Sequence, residues 1–207
     1  MMIGETPTIL LATGNAGKVL EFEQMFKAVP VCFRSLSDLP EITEVEETGT
    51  TFDENAALKA SGYAVQSGLW SLADDSGLEV DALGGAPGVL SARYGGPSAG
   101  FAEKMELVLN QLKTAEKRQR SARFVCSIVI ADETGRVRAE AHGECRGHIA
   151  QEPRGTRGFG YDPIFIPEGY QKTFGELDDE VKAEISHRAR AGAKIIRYLL
   201  DFTGIST

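Results

Sequence analysis

Glycine, asparagine and lysine are grouped at 13–18, where the chain contains TGNAGK. Glycines allow backbone N–H groups to approach an anion closely, and Lys18 adds a full positive charge. The group is not a Walker A loop, because its glycines are three residues apart and Val19 stands where Ser or Thr would hold a metal. Either a phosphate-binding loop or a plain strand-to-helix turn with an exposed lysine accounts for this pattern.

Two adjacent carboxylates, Asp74 and Asp75, stand between a mostly apolar stretch at 70–73 and the turn-forming pair Ser76-Gly77. Carboxylate oxygens are the ligands that Mg²⁺ prefers, and a strand end can aim them into a cleft. The alternative is that at least one of the two only hydrogen-bonds the backbone of its own turn.

The stretch 38–55 contains seven acidic residues and no basic one. Glu46 and Glu47 lie closest to the break at Gly49, so either could supply a further metal ligand. More often, however, such a stretch is a solvated loop.

Two aromatic side chains lie among glycines at 158–163, where the chain contains GFGYDP. Phe159 and Tyr161 suit stacking on a planar base, and Asp162 could accept a hydrogen bond from a ring or sugar donor. Ordinary core packing is the alternative, and it is the favoured one for Tyr161.

Three potential cations, Lys182, His187 and Arg188, lie within seven residues of each other. They suit a polyphosphate or a base rich in carbonyl groups. A solvated helix face explains Lys182 nearly as well, and Ser186 has the residue type of a helix N-cap.

The elements that must position these residues alternate between strand and helix patterns. Short apolar or alternating runs predict strands at 8–13, 31–35, 70–74, 78–82, 124–130, 137–143 and 164–166. A sharp break is expected at 75–77, and a Thr134-Gly135 turn predicts a hairpin.

Helical spacing of apolar residues follows the first predicted strand at Val19, Phe22, Phe26 and Val29. Further helices are predicted after a capping box that begins at Thr51, after a cap at Ser98, and from Asp178 onward. This order predicts an α/β fold, and the hairpin favours a mixed central sheet over an all-parallel one. With no repeat or linker, residues 1–207 are expected to form a single domain.

The chain of 207 residues has a net charge of −8. This argues against a partner that is a nucleic acid polymer, whose binding requires many cations against phosphates. The basic run at 113–123 contains no aromatic residue, and we expect a solvated helix end and loop there. A small phosphorylated ligand is compatible with the charge.

Cys32, Cys126 and Cys145 are odd in number and widely spaced, so neither a disulfide framework nor a structural zinc site is expected. No apolar run reaches the roughly 18 residues of a membrane span, and the N-terminus lacks the basic region of a signal peptide. These features predict a cytoplasmic protein with no membrane partner.

Five motifs, in this order, resemble the inosine triphosphate pyrophosphatase family over about residues 9–200. They are TGNAGK, EETGTTFDENAALKA, ADDSGLEVDALGGAPGVLSARYGG, GFGYDPIF and KAEISHR. The resemblance implies an elongated, two-lobed single domain with a cleft. It also implies hydrolysis of deaminated purine nucleoside triphosphates (ITP or dITP, XTP or dXTP) to the monophosphate and pyrophosphate, Mg²⁺ as cofactor, and a homodimer.

The same resemblance assigns roles to individual residues. Asp75 matches the catalytic acid, which also binds magnesium, and Glu47 matches a second acidic position near the metal. The substrate-binding positions are Thr13, Gly14, Asn15, Ala16, Gly17, Lys18, Lys59, Ser76, Phe159, Gly160, Tyr161, Asp162, Lys182, His187 and Arg188.

The implied reaction needs cations and a metal to take up phosphate charge, and a carboxylate to prepare water. We expect Asp75 to orient or deprotonate that water, and Lys18, Lys59 and Lys182 to stabilise the leaving pyrophosphate. Donors from the region of His187 and Arg188 would pair with the 6-oxo group of inosine or xanthosine and find no acceptor on adenosine.

Two other function classes fit individual motifs. A non-catalytic nucleotide-binding module would bind nucleotide without product, although the acidic pair speaks against it. A broad phosphatase would release orthophosphate instead of pyrophosphate.

The chain departs from the family pattern at three positions. Phe101 and Lys104 stand where the family usually has Asp and Asn, and Gly175 replaces a frequent alanine. We expect these departures to affect local packing and the subunit contact, not the site.

Overall fold

A computed structural model describes residues 6–96, 98–113 and 119–204 of the chain. Residues 1–5 of the N-terminal stretch and residues 114–118 of the basic run lie outside the described residues. In the described ranges, no helix combines the length and the apolar character that crossing a bilayer requires.

Six strands of the described ranges form one sheet in the order β2-β1-β3-β4-β5-β6. Strand β1 pairs in parallel with β2 and β3, while β5 and β6 are antiparallel. The predicted mixed sheet is therefore confirmed. The strands are β1 Thr8–Leu11, β2 Cys32–Ser35, β3 Trp70–Val80, β4 Ser121–Ala131, β5 Val137–Ile149 and β6 Phe165–Pro167.

The described ranges contain five α-helices, and helices follow β1, β2 and β3 as the α/β pattern predicts. They are α1 Ala16–Met25, α2 Phe52–Ser67, α3 Phe101–Gln111, α4 Asp179–Ile185 and α5 His187–Phe202. The junction of α4 and α5 is at Ser186, whose Oγ accepts a hydrogen bond from the Ala189 N–H. This is the N-cap that its residue type predicted.

The sharp break predicted at 75–77 is wrong, because β3 is one continuous strand of 11 residues. Gly77 does not adopt a positive φ. The carboxylate of Asp75 is bound by side chains of α2 and does not cap a turn of its own backbone. The long-range partners thus override the local turn preference of the Asp-Ser-Gly sequence.

Helix α2 begins with the predicted capping box. The Thr51 Oγ1 accepts from the Glu54 N–H, and the Glu54 carboxylate accepts from the Thr51 N–H. The helix ends at Gly68, whose φ of 66° provides the left-handed cap conformation.

The acidic stretch before α2 runs along that helix and is not simply a solvated loop. The Gln66 side chain binds both the N–H and the C=O of Thr43, and the Tyr63 hydroxyl accepts from the Val45 N–H. A Cβ on Gly62 would lie 2.8 Å from Val45, so glycine permits the close approach. These contacts set the position of Glu47.

Helix α3 begins at Phe101, after the N-cap Gly100, so the predicted cap at Ser98 is wrong. The Glu103 carboxylate accepts from the Gly100 N–H at 2.8 Å, and this interaction replaces a side-chain cap. The predicted hairpin of β4 and β5 is present, and a tight turn closes it with Gly135 N–H donating to Asp132 C=O.

The prediction that the basic run at 113–123 is a solvated helix end and loop is wrong for Arg120. It is buried, and its guanidinium donates to the carbonyl oxygens of Leu112, Ile149 and Ala150. The guanidinium therefore links the end of α3 to the end of β5. The three carbonyl groups replace the water that would otherwise solvate its charge.

The chain divides into two compact units. The first comprises Met1–Asp75, Ser127–His142 and Arg190–Thr207, and its core packs small residues of α2 against β1 and β3. The second comprises Ser76–Cys126 and Gly143–Ala189, with an aromatic-rich core around Phe124, Phe165 and Phe174. The single domain over 1–207 stays a prediction.

Candidate active site

The TGNAGK loop of the first unit joins β1 to α1. The Asn15 Oδ1 caps the helix by accepting from the N–H groups of Gly17 and Lys18, at 2.9 and 3.2 Å. Asn15 therefore shapes the loop through its side chain. Among the described residues other than its two chain neighbours, no heavy atom lies within 4 Å of a Cβ built on Gly14, so this side of the loop has room for a ligand.

Lys18 forms a salt bridge from this loop to β3. Its Nζ lies 3.0 Å from Oδ2 of Asp74, and the Asp74 side chain is fully buried. Asp74 was a candidate on sequence grounds but was not assigned a role by the family resemblance. The structure gives it a partner on the TGNAGK loop.

Asp75 and Glu47 share one cation. The Nζ of Lys59 lies 2.6 Å from Oε1 of Glu47 and 3.0 Å from Oδ1 of Asp75. The side chains of Lys59 and Asp75 are about nine-tenths buried, while that of Glu47 is 25% exposed. The expected metal ligands are thus brought together by a lysine on the adjacent helix.

Asn55 is a residue of this group that sequence reasoning missed. Its Nδ2 donates to Oδ2 of Asp75 at 3.3 Å, and its Oδ1 accepts from the Gly49 N–H at 2.8 Å. It is completely buried. Its position in the NAALKA motif, four residues before Lys59, was the available signal, because residues i and i+4 share one helix face.

The charges of this group shift two pKa values. Burial raises the pKa of Asp75 above its ordinary value and Glu47 adds to the rise, while Lys59 opposes it. Burial by itself would lower the pKa of Lys59, but the neighbouring carboxylates outweigh burial and raise it.

The donor set fits a hard divalent cation. Glu47 and Asp75 present carboxylate oxygens to one positive centre, and Mg²⁺ is commonly bound by one or two carboxylates together with substrate phosphates. In the described ranges, no three His, Cys, Asp or Glu side chains form a cluster that could hold a metal by themselves. Further ligands would therefore come from substrate and water.

In the second unit, two of the predicted cations lie beside the ring of Phe159. The Nζ of Lys182 lies 4.6 Å from the centroid of the Phe159 ring, and the guanidinium carbon of Arg188 lies 5.7 Å from it. Arg188 also donates to Oγ of Ser76 at 2.7 Å. Lys182 and Arg188 therefore form, with Phe159, an aromatic and cationic group of the second unit.

Asp162 holds this group together. Its Oδ2 accepts from Lys182 Nζ at 2.6 Å and from the Phe159 N–H at 2.7 Å. A Cβ on Gly158 would lie 2.1 Å from the same oxygen, so glycine is needed there, both for this approach and for its φ of 70°. The buried carboxylate thus positions a lysine and the loop.

Tyr161 packs in the core, which was the favoured interpretation of this residue from the sequence. Its side chain is buried, its hydroxyl donates to the Ser91 C=O at 3.0 Å, and burial raises its pKa. Phe101 packs edge-on against it and also approaches Gly160.

Lys104 donates to the Ala92 C=O at 2.6 Å. Phe101 and Lys104, the two residues of α3 that depart from the family pattern, therefore have packing roles.

His187 is buried and stacks on Phe124, with ring centroids 4.8 Å apart.

The glycine at position 175, where the family often has alanine, has a steric explanation. A Cβ there would lie 2.6 Å from the Arg154 C=O, which explains why glycine suits this chain.

The fold and the two residue groups define a mixed-sheet α/β protein with charged side chains at strand and helix ends. The Ham1 family model matches residues 9–198, so the chain belongs to the Ham1 family. The resemblance predicted from the five motifs is confirmed.

Individual relatives agree with this assignment. The chain is 45% identical over 192 residues to the dITP/XTP pyrophosphatase of Oceanobacillus iheyensis, covering 92% of this chain and 97% of that one. A HAM1 protein from Coxiella burnetii has a TM-score of 0.87 at 42% identity, covering 95% and 100% of the two chains. The Ham1 protein of Staphylococcus aureus has a TM-score of 0.83 at 38% identity, covering 94% and 99%.

Proposed function

We propose that this chain hydrolyses deaminated purine nucleoside triphosphates, dITP and XTP among them, to the nucleoside monophosphate and pyrophosphate. The observation that carries the proposal is the pair Glu47 and Asp75, held on one cation in the unit that also carries the TGNAGK loop. The relative from Oceanobacillus iheyensis is a dITP/XTP pyrophosphatase, and this supports the same substrates.

The first unit supplies the groups for phosphate chemistry. The open backbone at Gly14 and the ammonium of Lys18 suit the triphosphate, since both offer donors to phosphate oxygens. Thr13, Asn15, Ala16 and Gly17 complete the proposed loop, and Asn15 maintains its shape.

Glu47 and Asp75 are the proposed ligands of Mg²⁺. When bound, Mg²⁺ would neutralise phosphate charge and would lower the pKa of a water coordinated to it. The chain itself offers two carboxylates, so the remaining coordination positions of the metal would be filled by phosphate oxygens and water.

Asp75 is the proposed general base for the attacking water. Asn55 orients the carboxylate through Oδ2, so its direction is fixed before substrate binds. The water oxygen bonds to the α-phosphorus while Asp75 accepts its proton, and the bond from the α-phosphorus to the oxygen that bridges to the β-phosphate breaks. Pyrophosphate leaves with the electron pair of that bond.

The group around Phe159 offers contacts that suit a purine. Phe159 offers an aromatic face with two cations beside it, and donors of His187 and Arg188 suit the 6-oxo group of inosine or xanthosine. Adenine presents a donor amine instead, which would leave these donors unpaired. Lys182 suits the purine better than the pyrophosphate, because its neighbours are Asp162 and Phe159.

Product analysis on a panel of dITP, XTP, dATP and dGTP with Mg²⁺ tests the proposal. We expect pyrophosphate from dITP and XTP with little from dATP. Orthophosphate as the product would indicate a phosphatase, and binding without any product would indicate a non-catalytic module. Mg²⁺ dependence and the homodimer stay predictions of the family resemblance, and a cytoplasmic location stays a prediction from the cysteines and apolar runs of the sequence.

A further inference from the structure

Lys59 occupies the position between the two proposed metal ligands. Its Nζ lies within hydrogen-bond distance of both Glu47 and Asp75, and its side chain is only 11% exposed. The other oxygen of Asp75 accepts from Asn55. The two carboxylates are thus already joined by a cation of the chain itself.

The charge balance makes this cation necessary. Three carboxylates, those of Glu47, Asp74 and Asp75, belong to the group, together with the ammonium groups of Lys18 and Lys59. Lys18 contacts Asp74. Lys59 is therefore the lysine that separates Glu47 from Asp75, and without it two like charges would face each other in a poorly solvated place.

A divalent cation and the lysine cannot both hold this position. Mg²⁺ binds carboxylate oxygens at about 2.1 Å, which is closer than the ammonium approaches either oxygen. Two positive centres on the same two oxygens would also repel each other strongly where burial limits screening. Metal binding therefore requires the ammonium to leave.

We infer that Lys59 is an internal counter-ion that stands in for the divalent cation in the ligand-free protein and is displaced when the metal binds. The inference rests on the assignment of Glu47 and Asp75 as metal ligands in the proposed function. Lys59 adds a competing charge to the site, so Mg²⁺ alone binds weakly. The released ammonium becomes available to phosphate oxygens, so nucleotide favours the exchange.

Binding of Mg²⁺ alone, measured by titration calorimetry without nucleotide, tests the exchange. The variant Lys59→Met removes the competing cation and keeps a similar length of side chain. We expect it to bind Mg²⁺ roughly tenfold more tightly than the unaltered protein, because no buried ion pair has to be broken first. Equal or weaker binding would overturn the inference.

Lys27→Met is the matched control, because it removes the same charge from an exposed position of the same unit. Its Mg²⁺ affinity should equal that of the unaltered protein. A tenfold gain in this control as well would mean that net charge, and not the position of Lys59, determines metal affinity, and this result would also overturn the inference.

Lysine labelling of the unaltered protein decides the matter if Lys59→Met does not fold. Acetylation followed by mass spectrometry should show that Mg²⁺ increases the modification of Lys59 several-fold relative to Lys27. An unchanged ratio would contradict displacement. Both measurements omit nucleotide, so they are separate from the proposed function, which fails instead if the unaltered protein releases no pyrophosphate from dITP.

Discussion

The Nζ atom of Lys18 lies 3.0 Å from Oδ2 of Asp74, and the Asp74 side chain is fully buried. The salt bridge joins the TGNAGK loop to β3, one residue before the proposed general base. Asp74 has no proposed contact with substrate. Through this salt bridge it fixes the direction of Lys18, which is proposed to bind the triphosphate.

Asp74→Asn should lower kcat/KM for dITP roughly 10- to 100-fold, because Lys18 loses the charge that orients it. Steady-state kinetics checks this, with Asp201→Asn, at an exposed position of α5, as the matched control. An unchanged kcat/KM in a folded Asp74→Asn protein would show that Lys18 needs no orienting partner.

Asp162→Asn should act mainly on substrate binding. The substitution weakens the acceptor shared by Lys182 and the Phe159 N–H, so the purine-side loop loses its fixed position. We expect KM for dITP to rise by roughly tenfold or more with a smaller change in kcat, and the preference for dITP over dATP to fall. A loss in kcat with KM unchanged would argue against a purine-side role.

Gly49→Ala should destabilise the protein by about 1–3 kcal/mol, the usual cost of overpacking. An added Cβ would lie 2.6 Å from the Glu54 Cβ and 2.7 Å from the Asn55 Oδ1. Gly14→Ala is the matched control for stability, since open space surrounds that position. Denaturant unfolding of both variants measures the difference, and equal stabilities would show that the loop at Gly49 moves aside without cost.

Glu54→Gln should change the acid limb of the stability curve. Hydrogen bonds from the Thr50 backbone and side chain, and from Thr51, lower the pKa of Glu54 below its ordinary 4.5. A lowered folded-state pKa contributes stability above about pH 4.5, and this contribution is lost as the pH falls through the lowered value. Urea unfolding should therefore show a difference between Glu54→Gln and the unaltered protein at neutral pH that shrinks in acid.

Glu23→Gln, on an exposed face of α1, is the control for this pH dependence. It should follow the unaltered protein at every pH. A difference between Glu54→Gln and the unaltered protein that stays constant down to about pH 3 would mean that the ionised carboxylate adds nothing to the cap.

Local signals in the sequence predicted the elements that local interactions determine. The capping box at Thr51 and Glu54 and the turn at Gly135 depend on residues within a few positions of each other. For the same reason the TGNAGK loop was correctly placed between a strand and a helix.

Features that depend on distant partners were missed. Asp75 continues β3 because Lys59 and Asn55, 16 and 20 residues earlier, bind its carboxylate. Arg120 is buried because its backbone acceptors at Ile149 and Ala150 lie 29 and 30 residues away. Single-residue preferences contain no information about such pairings.

The most direct test of the proposed chemistry is the product formed from dITP with Mg²⁺ by the unaltered protein and by Asp75→Asn. We predict one pyrophosphate and one dIMP per dITP from the unaltered protein, and a loss of at least roughly 100-fold in kcat for the variant, since it removes the general base. Orthophosphate as the product, or an Asp75→Asn protein that keeps most of its kcat, would contradict the account.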